Sequence, residues 1–252
     1  MIVEGTGTAR RQFEKVFKQG GDMAGMMTRV ATMAALVGGG MYWASARPAA
    51  GGVTTLPAAT VGQTLAASPR DETIVFAGGC FWGVQAVFEH VRGVKSAVSG
   101  YAGGTVASPS YEDVSSGTTG HAESVQVTFD ASQVSLGTLL QVFFSVAHDP
   151  TQKDRQGPDV GTQYRSAVFY TTDAQRQVVE AYVKQLTDAK TYSRPIVTQI
   201  APLRAFYEAE AYHQHYAMLH PDSPYIATFD LPKVAALKTR FPSLYREDVS
   251  VR

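Results

Sequence analysis

Thr73-Ile74-Val75-Phe76-Ala77-Gly78-Gly79-Cys80-Phe81-Trp82-Gly83 passes from a short apolar run, through glycines, into an amphipathic segment. Thr73 to Phe76 has the β-branched and aromatic make-up of a buried strand. From Phe81 onward, apolar residues recur at helical spacing (Phe81, Val84, Val87, Phe88, Val91) until Gly93 stops the pattern. Between strand and helix lies Cys80, the only cysteine in 252 residues. A lone cysteine makes no internal disulfide and is a poor structural metal site. Thiols react as thiolates, which a helix N-terminus favours, and flanking glycines keep a sulfur accessible. The bland alternative is an inert cysteine packed as a small hydrophobe.

Strand and helix signals alternate outward from this turn. Val94 to Tyr101 alternates as a strand, and so does Ala122 to Phe129, with Val125, Val127 and Phe129 facing the core. Ser135 caps a helix running through Leu139, Leu140, Phe143 and Phe144 to Val146. A polar loop from Thr151 to Gln163, long for a compact domain, leads to a strand over Ser166 to Tyr170 and reads as a site loop. Asp173 caps a helix over Ala174 to Thr187, and Pro195 to Ile200 is the next strand. After Pro202 the chain reads as irregular with short helices, the last opened by Leu231-Pro232. The order β-α-β-β-α-β-α-β predicts an α+β fold: a two-layer sandwich with a mainly antiparallel mixed sheet, helices on one face and a ferredoxin-like core.

Composition excludes some partners. With 22 basic and 22 acidic residues, no basic surplus points to nucleic acid, and a hydrophobic content of 44% supplies a core. Arg10, Arg11, Lys15, Lys18 and Arg29 precede the apolar run Val30 to Trp43, which ends at Ala44-Ser45-Ala46. This is the layout of a secretory signal, and the run falls short of the roughly 20 residues of a membrane span. Residues 1–46 are therefore read as a signal peptide or N-terminal anchor, with a mature start at Arg47. Residues 47–70, without helical or strand period, read as a flexible linker. The expected location is periplasmic or secreted, the alternatives being a membrane anchor or a mis-assigned start on a cytoplasmic protein. His213 and His215, two apart, do not share a helix face, and no metal is expected.

A family resemblance rests on several segments in one order. Gly79-Cys80-Phe81-Trp82-Gly83, Gly100-Tyr101-Ala102-Gly103-Gly104 and Ser110-Tyr111-Glu112-Asp113-Val114 come first. Gly120-His121-Ala122-Glu123, His148-Asp149-Pro150-Thr151 and Asp159 through Ser166 follow. Ala211-Tyr212-His213-Gln214 and His220 through Ile226 complete the set. Together they resemble the peptide methionine sulfoxide reductases of the A type over roughly residues 73–242. The resemblance implies a catalytic domain over 71–245, followed by a tail, 246–252. It implies Cys80 as nucleophile, Glu123 as an acid kept protonated by apolar surroundings, and Tyr111 and Tyr164 as donors to the sulfoxide oxygen. Asp159 would orient the site, and Phe81 and Trp82, supported by His121, would enclose the S-methyl group. The substrate implied is the S epimer of methionine sulfoxide, free or in oxidised proteins, handled by a monomer without bound cofactor.

Many family members reset the nucleophile with a second cysteine. Here none exists, so an external thiol must do it: a thioredoxin-like or glutaredoxin-like protein, or a small thiol. Two other readings remain open from sequence. In one, Cys80 pairs with His121 or His148 as a hydrolase or acyl transferase. In the other, the chain is a tethered module that binds methionine sulfoxide without turning it over.

Overall fold

The computed structural model describes residues 55–249. The expected signal or anchor and its cleavage point lie outside the described residues. Among the described residues, no helix is long and apolar enough to cross a membrane. The chain runs β1 (Asp71–Gly78), α1 (Phe81–Glu89), β2 (Val94–Ala102), α2 (Tyr111–Ser115), β3 (Ala122–Asp130) and α3 (Leu136–Val142). A small hairpin follows, β4 (Arg155–Gln156) and β5 (Asp159–Val160), then β6 (Ser166–Tyr170) and α4 (Asp173–Asp188). The chain continues through β7 (Gln199–Pro202), β8 (Phe206–Glu208), α5 (Tyr216–Leu219) and α6 (Leu231–Arg240).

Six strands form one sheet in the order β7-β6-β1-β3-β2-β8. Its four central strands pair antiparallel with one another, with β3 inserted between β1 and β2, and β7 joins the β6 edge in parallel. This is the split β-α-β-β-α-β arrangement expected from the element order. Alternation along the strands sorts the two faces. Ile74 and Phe76 of β1, with Val125, Val127 and Phe129 of β3, meet α1, α3 and α4 in the main core. Val75 and Ala77 point the other way, into a thin layer with Ala102, Ala122, Ala167 and Phe169. Phe76 stacks between Phe88 of α1 and Phe143, with ring centroids 4.8 Å and 4.7 Å away. The first strand and first helix are thereby locked where they flank Cys80.

Several boundaries differ from expectation. The strand expected at Pro195 to Ile200 is instead β7, because parallel pairing on β6 sets its register from Ala167↔Gln199 to Tyr170↔Pro202. The cap of α4 is Thr172, whose hydroxyl accepts from the Gln175 N–H, while Asp173 occupies the first turn. Ser135 caps α3 as expected, accepting from the Thr138 N–H at 3.1 Å. The edge strand β8 and the short helix α2, three and five residues long, carry no periodic signal in the sequence.

From residue 55 onward the expected flexible linker is docked instead. Leu56 and Ala59 enter the core. The Tyr182 hydroxyl donates to the Pro57 carbonyl at 2.9 Å, and the Gln185 amide donates to that of Ala58 at 2.8 Å. The Gly137 N–H, in the open first turn of α3, donates to the Gly62 carbonyl at 2.9 Å. Side chains of α4 and an orphan helix N–H supply the partners that a strand ladder would otherwise provide.

Candidate active site

β1 ends at Gly78, and the chain turns into α1 within two residues. Gly79 makes the turn at φ +90°, and a Cβ there would stand 2.5 Å from Gln156 Cβ on the hairpin. Only glycine meets both conditions. Cys80 follows at the N-cap of α1, 8% exposed, and its side chain makes no capping bond. The Phe81 N–H, one of the helix's unpaired donors, is aimed instead at Glu123 Oε2, 3.0 Å away.

Glu123 reaches that position by strand parity: it lies on the same face of β3 as Val125, Val127 and Phe129. It is therefore 2% exposed, at the end of the core rather than in solvent. Burial pushes its carboxyl up to about 8; the Phe81 N–H opposes this, and the charges of Asp159 and Asp230 add to it. The carboxyl is thus protonated at neutral pH. The thiol departs from the sequence argument. Burial, followed by the charges of Glu123 and Asp230, drives Cys80 well above the usual thiol value, against the Trp82 N–H and the Lys233 ammonium. The helix N-terminus does favour a thiolate, but desolvation of the sulfur outweighs it.

Two tyrosines face this pair from different elements. Tyr111 opens α2, which is held by a capping box between Ser110 and Asp113, and its N–H donates to Glu210 Oε1 at 2.9 Å. Burial and the Glu123 charge push the Tyr111 hydroxyl up to about 12, so it remains a donor. Tyr164 ends the 3-10 turn Thr162–Tyr164, and burial with the same charge raises it likewise. Arg165 fastens this turn to the rest of the domain. Its guanidinium donates to the carbonyls of Thr162 and Gly120 at 2.9 Å and 3.0 Å. Asp159 comes from β5 and accepts from the Tyr225 hydroxyl at 2.5 Å. The long polar loop thus contributes Asp159, and Tyr164 follows directly at its end.

An aromatic wall completes the site. Phe81 is fully buried, with its ring 5.1 Å from His213 and 5.9 Å from Tyr101. Trp82 stacks on Tyr216 at 3.9 Å and meets Tyr225 edge-on at 6.1 Å. Its indole N–H donates to His213 Nδ1 at 3.3 Å. His121 is placed differently from expectation. Its Nδ1 accepts from the Gly104 N–H at 3.2 Å and its Nε2 bonds the Val106 carbonyl at 2.8 Å. It therefore orders the loop after β2 and has no nitrogen left for substrate.

The histidines of the hydrolase reading are engaged elsewhere. His148 bonds Ser166 Oγ at 2.7 Å and the Phe143 carbonyl at 3.2 Å, and burial pushes it down to about 4. His213 packs on Phe81 and Tyr111, whereas His215 bonds Glu89 at 2.6 Å, so the two serve separate partners. What converges is a thiol, a protonated carboxylic acid and two phenols against an apolar wall. That set can attack an electrophilic centre while protonating an oxygen that leaves it. Sequence reasoning missed Tyr225, Asp230, Lys233 and the role of His213. Tyr225 lay within a recognised segment without a role, and the i,i+3 spacing of Asp230 and Lys233 hinted at an ion pair.

Comparison with known proteins agrees with this chemistry. The family profile for peptide methionine sulfoxide reductase matches residues 72–243. A peptide methionine sulfoxide reductase of Mesorhizobium japonicum is 58% identical over 181 residues, covering 72% of this chain and 93% of the relative. One from Thermus thermophilus is 48% identical over 176 residues, covering 70% and 98%. Among solved structures, methionine sulfoxide reductase A of Corynebacterium diphtheriae superposes with a TM-score of 0.53 at 37% identity, covering 67% of this chain and 84% of that one. Reduced Mxr1 of Saccharomyces cerevisiae gives 0.55 at 34% identity, covering 64% and 92%. With its thiol, acid and phenols arranged as described, the chain belongs to the peptide methionine sulfoxide reductase family.

Proposed function

We propose that this protein reduces methionine S-sulfoxide, free or within oxidised proteins, to methionine, with Cys80 as nucleophile and Glu123 as acid. One observation carries the assignment of roles: a buried carboxyl held neutral up to about pH 8, bonded to the first N–H of the helix that Cys80 caps. As the Cys80 sulfur attacks the sulfoxide sulfur, Glu123 gives its proton to the sulfoxide oxygen, assisted by the hydroxyls of Tyr111 and Tyr164. Asp159, tied to Tyr225, orients the hairpin side of the site, and Phe81 with Trp82 holds the S-methyl group. The oxygen then passes to the Cys80 sulfur: the transient bond between the two sulfurs and the methionine S–O bond break as the Cys80 S–O bond forms. Methionine leaves, Cys80 becomes a sulfenic acid, and the thiol's proton replaces the one Glu123 gave. Two external thiols then complete the cycle. The first displaces water to form a mixed disulfide, and the second releases the Cys80 thiol and a disulfide. The reductant proposed is a thioredoxin-like or glutaredoxin-like protein, or a small thiol, because the chain holds no second cysteine.

Incubation with each methionine sulfoxide epimer and dithiothreitol tests this reading. Loss of the S epimer alone, abolished by Cys80→Ser, is expected; consumption of neither epimer refutes it. We further propose a periplasmic or secreted location, on the strength of the basic segment, the short apolar run and Ala44-Ser45-Ala46. Sequencing the mature N-terminus tests the signal-peptide reading: a start at Arg47 supports cleavage, and an intact N-terminus refutes cleavage in favour of the anchor or the mis-assigned start.

A further inference from the structure

Gly83 lies on the first turn of α1, three residues beyond Cys80, and faces a buried ion pair. Asp230 is 0% exposed, and its Oδ1 accepts from Lys233 Nζ at 3.1 Å. Its other oxygen, Oδ2, has no hydrogen-bond partner among the described residues. A Cβ at Gly83 would collide with Asp230 Oδ1 and stand 2.7 Å from Lys233 Nζ. The missing side chain is what allows the pair to lie against the turn that carries the sulfur.

A buried ion pair is a poor device for stability, because desolvating both charges costs about as much as their attraction returns. This one sits where acidic groups converge: Cys80 from α1, Glu123 from β3, and Asp159 from the hairpin with Tyr225 behind it. The phenols Tyr111 and Tyr164 complete that side. Each of these ionises to an anion. The nearby imidazoles are neutral, since burial pushes His148 down to about 4 and His213, also lowered by burial, accepts a hydrogen bond from the Trp82 indole N–H on its Nδ1. Lys233, its side chain only 19% exposed, is the cation whose charge acts on the sulfur.

We propose that Lys233, anchored by Asp230 in the space left by Gly83, is a positioning residue that stabilises the attacking thiolate of Cys80. Its ammonium does what an imidazolium does in cysteine enzymes with a paired histidine. Asp230 fixes the ammonium in place while its own charge works against the thiolate, so the two residues act on Cys80 with opposite sign. This inference rests on Cys80 being the nucleophile, and its test is independent of turnover.

The test is the rate of iodoacetamide alkylation of the full chain against pH, which reports one site because there is one cysteine. Lys233→Met should move the alkylation midpoint up by about one pH unit or more, the usual effect of losing an opposite charge nearby. Lys233→Arg should restore it, and Asp230→Asn should move it down. Lys233→Gln keeps a donor for Asp230 without the charge, and should give the same upward shift where the methionine variant fails to fold. An unchanged midpoint in Lys233→Gln, or shifts of the same sign in Lys233→Gln and Asp230→Asn, would overturn the proposal, because packing alone produces either pattern.

Discussion

Replacing Glu123 with glutamine should make the protein more stable and far less active, and the gain should depend on pH. The carboxyl ionises near its ordinary value of 4.5 when unfolded and at about 8 when folded. Between those values the unfolded chain binds fewer protons than the native one, so stability falls as pH rises. At about 1.4 kcal/mol per pH unit, the deficit is roughly 3 kcal/mol at pH 7 and approaches about 5 kcal/mol above the folded value. Glutamine removes the ionisation but keeps an oxygen for the Phe81 N–H. Urea titrations of both proteins at intervals from pH 5 to pH 8 measure the difference. Glu89, which burial also pushes up, to about 7, contributes a slope common to both proteins and cancels. Glu123→Gln should gain on the wild type steadily across this window, while its reductase rate falls by about 10²–10⁴, the usual worth of a general acid. Parallel stability curves would refute the claim that Glu123 is held neutral by burial.

Other consequences are more local. Trp82→Ala removes the stack on Tyr216 and opens the apolar wall; kcat/KM should drop about tenfold, roughly 1.4 kcal/mol, in initial-rate assays. Gly79→Ala places a side chain at φ +90° against Gln156, a strain of roughly 1–2 kcal/mol from the backbone alone, read as a lowered melting temperature with weakened activity. Tyr182→Phe frees the Pro57 carbonyl and should cost about 1 kcal/mol. In that variant the Thr60 amide should exchange hydrogen faster, while amides in β1 stay protected.

Periodicity made much of the fold legible. The alternation in Ala122 to Phe129 showed which face of β3 is buried; that Glu123 shares this face is established by the folded strand. The helical spacing after Phe81 placed Cys80 at a helix start. Elements without a period of their own escaped. Residues 55–66 take their order from Tyr182, Gln185 and Gly137, far along the chain, and look featureless alone. β8 is three residues at a sheet edge, defined only by pairing with β2. Asp230 and Lys233 meet Gly83 through tertiary packing, with nothing local to mark the encounter. The resting acidity of the Cys80 thiol departs from the local argument for a related reason: a helix N-terminus is visible in sequence, whereas the desolvation that outweighs it belongs to the assembled core. Recognition of ordered motifs supplied the reaction itself, and geometry then separated His121, which holds a loop, from the groups that face the sulfur.

A single-turnover experiment without reductant tests most directly that Cys80 acts alone. Protein mixed with excess methionine S-sulfoxide should yield one methionine per chain and then stop. Its intact mass should rise by one oxygen atom and its one thiol should disappear, with turnover resuming when a thiol is added. Continued methionine formation without added thiol, or a burst that leaves the Cys80 thiol free, would contradict that chemistry.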